Sequence, residues 1–175
     1  MLKELGVQVN YLYINQSNTD YLMKYFELKI PPVVVFLICV GLIWVVNQWT
    51  FIEGLKFKTD TGIVIIMLVI GALVGVLGIF EFRRESTTVN PHKPNNTSSL
   101  VTSGIYTFSR NPMYLALLIV LGATAFKWGS LFGFLILPLF VYYMNQFQIK
   151  PEEAILEQIF GEEFLEYKEE VRRWA

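Results

Sequence analysis

A short polar run, Arg110-Asn111-Pro112, lies directly before an apolar stretch that begins at Met113. Asparagine is a good N-cap and proline favours the first position of a helix, so the run predicts a helix start. The N–H groups of a helix N-terminus attract carboxylates, and an arginine offers a planar fork for the same groups. The run is interpreted either as an ordinary cap with a positive membrane flank or as part of a site for an anionic ligand group.

Two adjacent carboxylates, Glu152 and Glu153, follow the last apolar stretch closely. They fall in the first turn of a helix predicted to start at Pro151, where acidic side chains complement the helix dipole. The same position puts them at the membrane edge, on the side of Arg110, where the three charges can hold a zwitterionic small molecule. Adjacent helical residues do not share a face, so one carboxylate is expected to point into such a site and the other away.

Three aromatic residues flank the polar run: Tyr106, Phe108 and Tyr114. They are interpreted either as faces for a cationic centre or as membrane-interface aromatics. The charges from Glu81 to Glu85 close an apolar stretch and are interpreted as a solvated cluster. His92 is interpreted as an exposed loop residue, because nothing in the sequence places a partner beside it.

Composition narrows the class of protein. The chain has 175 residues, of which 54% are hydrophobic and 17% are charged, whereas a soluble domain carries about 25% charged residues. The net charge of −1 excludes a bulk basic patch for nucleic acid. With a single cysteine, Cys39, and a single histidine, the chain is expected to have no disulfide framework and no metal site.

Four apolar stretches predict an all-α integral membrane protein, since about 20 residues cross a bilayer. They cover residues 30–49, 62–80, 113–126 and 130–147. The last two are separated by only three residues and predict a tight helical hairpin. These stretches belong to a single predicted domain, residues 30–175, after a polar N-terminal extension, residues 1–29. Whether Met1 or Met23 is the physiological start is left open.

Lysine and arginine predict the orientation of the spans. They concentrate at the N-terminus, in the loop 81–112 and in the tail 148–175. These parts, and with them both termini, are therefore expected to be cytoplasmic, at the inner membrane if the cell is prokaryotic. The tail predicts two amphipathic helices separated at Gly161. The second carries an apolar stripe that ends at Trp174, which is expected to anchor it at the membrane surface.

Two blocks of the sequence, residues 98–118 and 148–174, resemble the isoprenylcysteine carboxyl methyltransferase and phospholipid methyltransferase superfamily. The resemblance rests on three motifs, which are Arg110-Asn111-Pro112-Met113-Tyr114, Glu152-Glu153 and Phe160-Gly161-Glu162. It implies an integral membrane enzyme that uses S-adenosyl-L-methionine. It departs from the family pattern at Asn111, where histidine is usual, and at Gln148, where prenylcysteine methyltransferases carry an arginine implicated in substrate binding.

The resemblance also implies a set of site residues. Arg110 and Glu152 are predicted to be catalytic, and Gln148 is predicted to bind substrate. Those predicted to bind the cofactor are Ser98, Ser99, Leu100, Val101, Tyr106, Asn111, Pro112, Met113, Tyr114, Glu152 and Glu153.

The predicted function is methyl transfer from S-adenosylmethionine to a lipophilic acceptor at the cytoplasmic membrane face. The acceptor is expected to be of the isoprenoid-thiol or carboxyl type, or a phospholipid amine; the other expected partner is the lipid bilayer. Two alternatives remain at this point. Sterol-type reductases that use NADPH share an arginine-x-proline-x-tyrosine helix start. A small four-span transporter is disfavoured, because no Asp, Glu, Lys, Arg or His lies inside the four stretches. The oligomeric state is left open.

Overall fold

The structure, a computed structural model, describes residues 27–49, 56–84 and 99–175. These parts are helical, with connecting loops and one isolated β-bridge between Lys56 and Ser130, and they contain no strand. The α-helices in chain order are α1 (Pro32–Gln48), α2 (Thr61–Arg84), α3 (Pro112–Trp128), α4 (Ile136–Met144), α5 (Lys150–Phe160) and α6 (Glu162–Glu170).

Two helical runs are long and apolar enough to cross a membrane, by length and composition. They are α2, with 24 residues, and the run Leu131–Phe160, with 30 residues; a crossing needs about 20. Helices α1 and α3 are apolar but shorter. Most of α2 is left uncovered, and its exposed side chains include Ile65, Ile66, Val69, Leu73 and Val76. Such a surface is suited to lipid.

Glycines let α2 and α3 approach closely. A Cβ atom at Gly71 would lie 2.8 Å from Val120 and 3.3 Å from the Ala116 carbonyl oxygen. At Gly75 it would lie 3.3 Å from the Ala116 Cβ, and Gly78 faces Met113 in the same way. Small residues of this kind are typical of helix interfaces in membranes. This contact places the start of α3 beside the C-terminal part of α2, where the cavity described below lies.

The turn after α3 reverses the chain. Gly129 has a φ of 65°, a left-handed conformation that closes the helix, and its amide donates to the Phe126 carbonyl. The Gly129 carbonyl then accepts the Phe57 amide at 2.8 Å. A 3-10 turn, Leu131–Leu135, leads into α4.

The helical run does not stop where the fourth apolar stretch ends. A π-helical turn, Asn145–Ile149, joins α4 to α5 without a break. The prediction that a separate tail helix starts at Pro151 is therefore wrong. Proline has no N–H to offer the carbonyl four residues before it. The Phe147 carbonyl accepts the Leu28 amide at 2.9 Å instead. The wider turn thus keeps the helix continuous and ties it to the segment before α1.

Two buried clusters hold the helices together. The larger one joins α1, through Cys39 and Ile43, to Leu121 of α3 and Phe140 of α4. The smaller one joins Val101 and Tyr106, from the chain between α2 and α3, to Phe164 and Tyr167 of α6. The apolar face of α6 therefore packs on the protein rather than on a membrane surface.

The last helix also ends earlier than the sequence predicts. α6 stops at Glu170, and Val171 has extended backbone angles. Trp174 therefore lies outside the helix, and its indole N–H donates to Asn145 Oδ1 at 3.0 Å. The predicted anchor role of Trp174 on an amphipathic helix is replaced by a contact that holds the tail to the end of α4.

Candidate functional site

A cavity of about 420 Å³ lies where the start of α3 meets α2, α5 and α6. This volume is within the usual range of small-molecule sites, about 300–1,000 Å³. Most of its wall is apolar and comes from α1, α2, α3 and α5. The polar and ionisable side chains on the wall are Ser99, Tyr106, Arg110, Asn111, Tyr114, Glu152, Glu153 and Tyr167.

Tyr114 and Glu152 meet across the cavity. Tyr114 lies in the first turn of α3 and Glu152 in the first turn of α5. The Tyr114 hydroxyl donates to Glu152 Oε1 at 2.6 Å, a short distance typical of a bond to a carboxylate. The ion pairs formed by the described residues include no partner for Glu152. Glu152 is thus held by a neutral donor, and none of these ion pairs places a protein cation where a positively charged ligand would meet it.

Glu153, one residue further along, is bound by two arginines. Its Oε1 accepts from Arg110 Nη2 at 2.9 Å and from Arg173 Nε at 3.0 Å. Its Oε2 accepts from Arg173 Nη2 at 2.6 Å. Both glutamates line the cavity, so the expectation that one of them points away is wrong. Their partners distinguish them, because Glu153 is neutralised by protein cations and Glu152 is not.

Arg110 holds the C-terminal tail as well as Glu153. Its Nη1 donates to the Lys168 carbonyl at 2.8 Å and to the Val171 carbonyl at 2.6 Å. These oxygens lie at the end of α6, where helix carbonyls lack partners within the helix. Its backbone amide donates to the Arg172 carbonyl at 3.0 Å. The Nε atom is buried and has no hydrogen-bond partner among the described residues.

The start of α3 is open toward the cavity. Asn111 is at the N-cap position and Pro112 follows at the first helical position, but no side chain caps the helix. The Asn111 side chain donates to the Arg173 carbonyl at 3.0 Å instead. Asn111 and Met113 line the cavity. The N-terminal N–H groups of α3 are therefore not satisfied by a side-chain cap, and such groups favour an anionic ligand group.

Two buried tyrosines complete the polar wall. The Tyr167 hydroxyl donates to the Tyr106 carbonyl at 2.8 Å. The Tyr106 hydroxyl is buried and has no partner among the described residues. Burial raises the pKa of both phenols above the ordinary value for tyrosine, so both stay protonated at neutral pH. The Tyr106 hydroxyl therefore keeps a proton that no described residue accepts.

Comparison with known proteins adds to this geometry. Residues 61–163 match the family model described as phospholipid methyltransferase, a region that includes α2 to α5 and the start of α6. The chain belongs to the phospholipid methyltransferase family. Proteins of this family are membrane methyltransferases, which favours the methyltransferase prediction over the reductase and the transporter.

Three relatives show how far the likeness extends. A Haemophilus influenzae protein of uncharacterized function is 45% identical over 62 residues, which is 35% of this chain and 98% of the relative. The mouse and human proteins named protein-S-isoprenylcysteine O-methyltransferase are each 27% identical over 124 residues, 70% of this chain. The match spans 43% of the length of these two enzymes. No solved structure matches the chain at a significant level.

The structure brings most of the residues predicted for the methyltransferase site to one cavity. These are Ser99, Leu100, Val101, Tyr106, Arg110, Asn111, Met113, Tyr114, Glu152 and Glu153. Pro112 is buried but is absent from the wall, and Ser98 lies outside the described residues, as does His92. The roles of all these residues in this family member stay predictions.

Gln148, the predicted substrate-binding residue, does not line the cavity. Its side chain is fully buried in the π-helical turn, and Nε2 donates to the Ile30 carbonyl at 2.7 Å. In this arrangement Gln148 fixes the entry to α1. A substrate contact at Gln148 has no support from the geometry.

Sequence reasoning missed three residues around the site. Glu81 was interpreted as solvated, but only 7% of its surface is exposed. Arg173 was counted only as a positive charge of the tail, and Tyr167 as a member of an apolar stripe. The charge pattern of the tail does not indicate that Arg173 binds Glu153, which is 20 residues away in the sequence. An acidic residue in the last turn of a helix is the one signal that singles out Glu81, because the helix dipole disfavours it there.

Proposed function

We propose that this protein transfers a methyl group from S-adenosylmethionine to a lipophilic acceptor at the cytoplasmic face of the membrane. One observation carries the proposal. The Glu152 carboxylate, held by the Tyr114 hydroxyl, is exposed to a largely apolar cavity next to an open helix N-terminus. A carboxylate attracts a cationic group and a helix N-terminus an anionic one. The two together suit a zwitterion.

The wall residues fit the methyl donor in charge and in hydrogen-bonding capacity. S-adenosylmethionine carries a sulfonium, an ammonium and a carboxylate group. Glu152 would hold the ammonium group, which S-adenosylhomocysteine shares, and the N–H groups at the start of α3, with Arg110 Nε, would hold the carboxylate. The unpartnered Tyr106 hydroxyl adds a donor for a polar group of the ligand. These assignments place two buried orphan groups, Tyr106 Oη and Arg110 Nε, in contact with a partner, as buried polar groups require.

The reaction requires the protein mainly to position the methyl donor and the acceptor. When bound, S-adenosylmethionine supplies a methyl group that is already activated by the adjacent sulfonium, so no protein nucleophile is needed. Alignment of two reactants can contribute about 7–11 kcal/mol to lowering the barrier. An apolar wall lowers the local dielectric constant, which strengthens the attraction between Glu152 and a cation. Arg110 acts in this proposal mainly as a positioning residue, because its Nη atoms are bound to the tail and to Glu153.

A lipophilic acceptor can reach the cavity from the bilayer. Val33 of α1 and Ile79 of α2 line the cavity, and 56% and 39% of their surfaces are also exposed. In this proposal, side chains with both properties mark the route by which a lipophilic acceptor enters between α1 and α2. The names of the mouse and human relatives agree with an isoprenoid acceptor, and the family description agrees with a phospholipid one. Both classes fit an apolar entry of this kind.

Calorimetric binding of S-adenosylhomocysteine to the detergent-purified protein tests the proposal. The wild type should bind with micromolar affinity. Glu152→Gln, which keeps the shape of the side chain and removes its charge, should weaken binding about tenfold or more, since a hydrogen bond to a charged group contributes about 1.5–3 kcal/mol. Glu166→Gln is the matched control, because Glu166 is exposed on α6. Binding of NADPH in place of the nucleoside would favour the reductase instead.

A further inference from the structure

Glu81 occupies a costly position. It lies in the last turn of α2, where the negative end of the helix dipole disfavours a carboxylate. It is nevertheless buried, and only 7% of its surface is exposed. Arg84 is 3.5 Å from Oε2, but 59% of the Arg84 side chain is exposed, so this ion pair contributes little. The burial of Glu81 therefore needs another explanation.

The contacts of Glu81 lie in the chain that lines the cavity. Ser103 Oγ donates to Glu81 Oε2 at 3.1 Å. Gly104, with a φ of 59°, packs directly on the same carboxylate, and a Cβ atom there would collide with Oε1. The left-handed conformation and the missing side chain both call for glycine. The carboxylate thus fills the space that Gly104 leaves and fixes the start of the 3-10 turn Gly104–Thr107 against α2.

The 3-10 turn Gly104–Thr107 extends from this contact to the cavity wall. The Tyr106 amide donates to the Ser103 carbonyl at 3.1 Å. The Tyr106 ring meets the Phe82 ring edge-on, with centroids 5.3 Å apart. Tyr106 and Phe82 both line the cavity, whereas Glu81 does not. Glu81 therefore reaches the cavity only through the turn that carries Tyr106.

We propose that Glu81 is a positioning residue for the methyl-donor pocket. Its carboxylate holds the Ser103–Gly104 corner to α2, and the corner holds the Tyr106 side chain in the pocket wall. This inference rests on the proposed function, because it assumes that the cavity binds the methyl donor. The carboxylate thereby orders a part of the pocket wall that belongs to the chain between α2 and α3.

Binding of S-adenosylhomocysteine to variants of the full chain tests this role. Glu81→Ala should bind about tenfold more weakly, which corresponds to about 1.4 kcal/mol. Glu81→Gln keeps an acceptor for Ser103 and should recover most of the affinity. Arg84→Ala is the matched control; it removes the exposed ion pair, keeps the Ser103 contact and should bind like the wild type. The midpoint of thermal unfolding, measured alongside, shows that each variant is folded at the temperature of the titration.

A second pair of variants separates positioning from general loss of stability. Tyr106→Phe removes the hydroxyl that Glu81 is proposed to place. If Glu81 acts through that hydroxyl, Tyr106→Phe should cost less affinity in Glu81→Ala than in the wild type. Additive losses, or wild-type affinity in Glu81→Ala, would overturn the inference and leave the proposed function intact. A wild type that does not bind the nucleoside would overturn both.

Discussion

The Tyr114 hydroxyl donates to the Glu152 carboxylate at 2.6 Å and joins the first turn of α3 to the first turn of α5. These two turns come from separate blocks of the sequence, and the cavity lies between them. The hydrogen bond leaves the charge of Glu152 without a protein cation. It orients one carboxyl oxygen of Glu152 and adds no cation that would compete with a positively charged ligand.

Removal of that hydroxyl should affect ligand binding more than folding. Tyr114→Phe leaves Glu152 without its donor, and we expect the affinity for S-adenosylhomocysteine to fall about tenfold or more, as for the loss of one hydrogen bond to a charged group. The measurement is calorimetric titration of the purified protein. Tyr142→Phe, at an exposed tyrosine on α4, is the control. Equal affinities for Tyr114→Phe and the control would contradict a role for Tyr114 in holding Glu152.

The Glu153 carboxylate should matter most for stability. Glu153→Ala leaves Arg110 without its carboxylate partner, and 10% of the Arg110 side chain is exposed. Removal of one partner from a buried ion pair costs about 3–5 kcal/mol, so the thermal midpoint should fall by several degrees. Glu157→Ala breaks the more exposed pair with Lys168 and should cost about 0–1 kcal/mol. A similar midpoint for the two variants would show that the Glu153 pairs are not structurally important.

The guanidinium group of Arg110 should be required to keep the C-terminal tail bound to the protein. Arg110→Lys keeps the charge but cannot bind two carbonyls and a carboxylate in one plane. We expect the residues after Glu170 to become accessible, so that limited proteolysis, followed by mass spectrometry, removes the tail faster than in the wild type. Arg172→Lys is the control, because the Arg172 side chain is exposed. Equal cleavage rates in Arg110→Lys and in the wild type would refute the holding role of Arg110.

The turn after α3 should tolerate only glycine. A Cβ atom at Gly129 would lie 2.6 Å from the Phe57 carbonyl oxygen, and the φ of 65° is strained for other residues. Gly129→Ala should therefore cost at least about 1–2 kcal/mol, measured as a lower thermal midpoint. Gly41→Ala is the matched control, because nothing lies within 4 Å of a Cβ atom there and alanine is favoured inside a helix. A stable Gly129→Ala protein would show that this turn can rearrange.

The burial of the Tyr167 phenol predicts that the stability of the protein decreases at high pH. Burial raises the pKa of Tyr167 in the folded state, whereas the unfolded value is about 10. A raised folded pKa means that the folded state keeps its proton longer, so this contribution to stability is fully present below pH 10 and is lost as the pH rises above it. Tyr167→Phe should lower stability at neutral pH and make its decline above about pH 10 shallower. Parallel curves for the wild type and Tyr167→Phe, measured by chemical unfolding, would contradict this account.

The sequence predicted the residues of the site better than it predicted their contacts. The start of α3 and the pair Glu152-Glu153 could be located because caps, proline and first-turn acids are local signals. The burial of Glu81 could not, because its hydrogen-bond partner is 22 residues away in the sequence. The partners of Glu153 were hidden for the same reason, since the tail folds back across the site after α6 ends.

The predicted apolar stretches agree only in part with the observed helices, again because one deciding contact is distant in the sequence. Length and hydropathy located the apolar core of each helix, but not the π-helical turn that carries the last run past residue 147. That turn depends on Pro151 and on a segment that lies more than 100 residues earlier in the chain. Patterns within a short window contain no information on such a contact, so the predicted break at Pro151 was wrong.

The absence of an N–H group at Pro151 allows the last helical run to bind the segment before α1. Because Pro151 has no N–H, the Phe147 carbonyl stays available and takes the Leu28 amide at 2.9 Å. Leu28 lies just before α1, and the first residues of α1, Pro32 and Val33, form one side of the cavity. Pro151 therefore helps to set the position of the start of α1 and of that side of the cavity, because an N–H at residue 151 would compete with Leu28 for the Phe147 carbonyl.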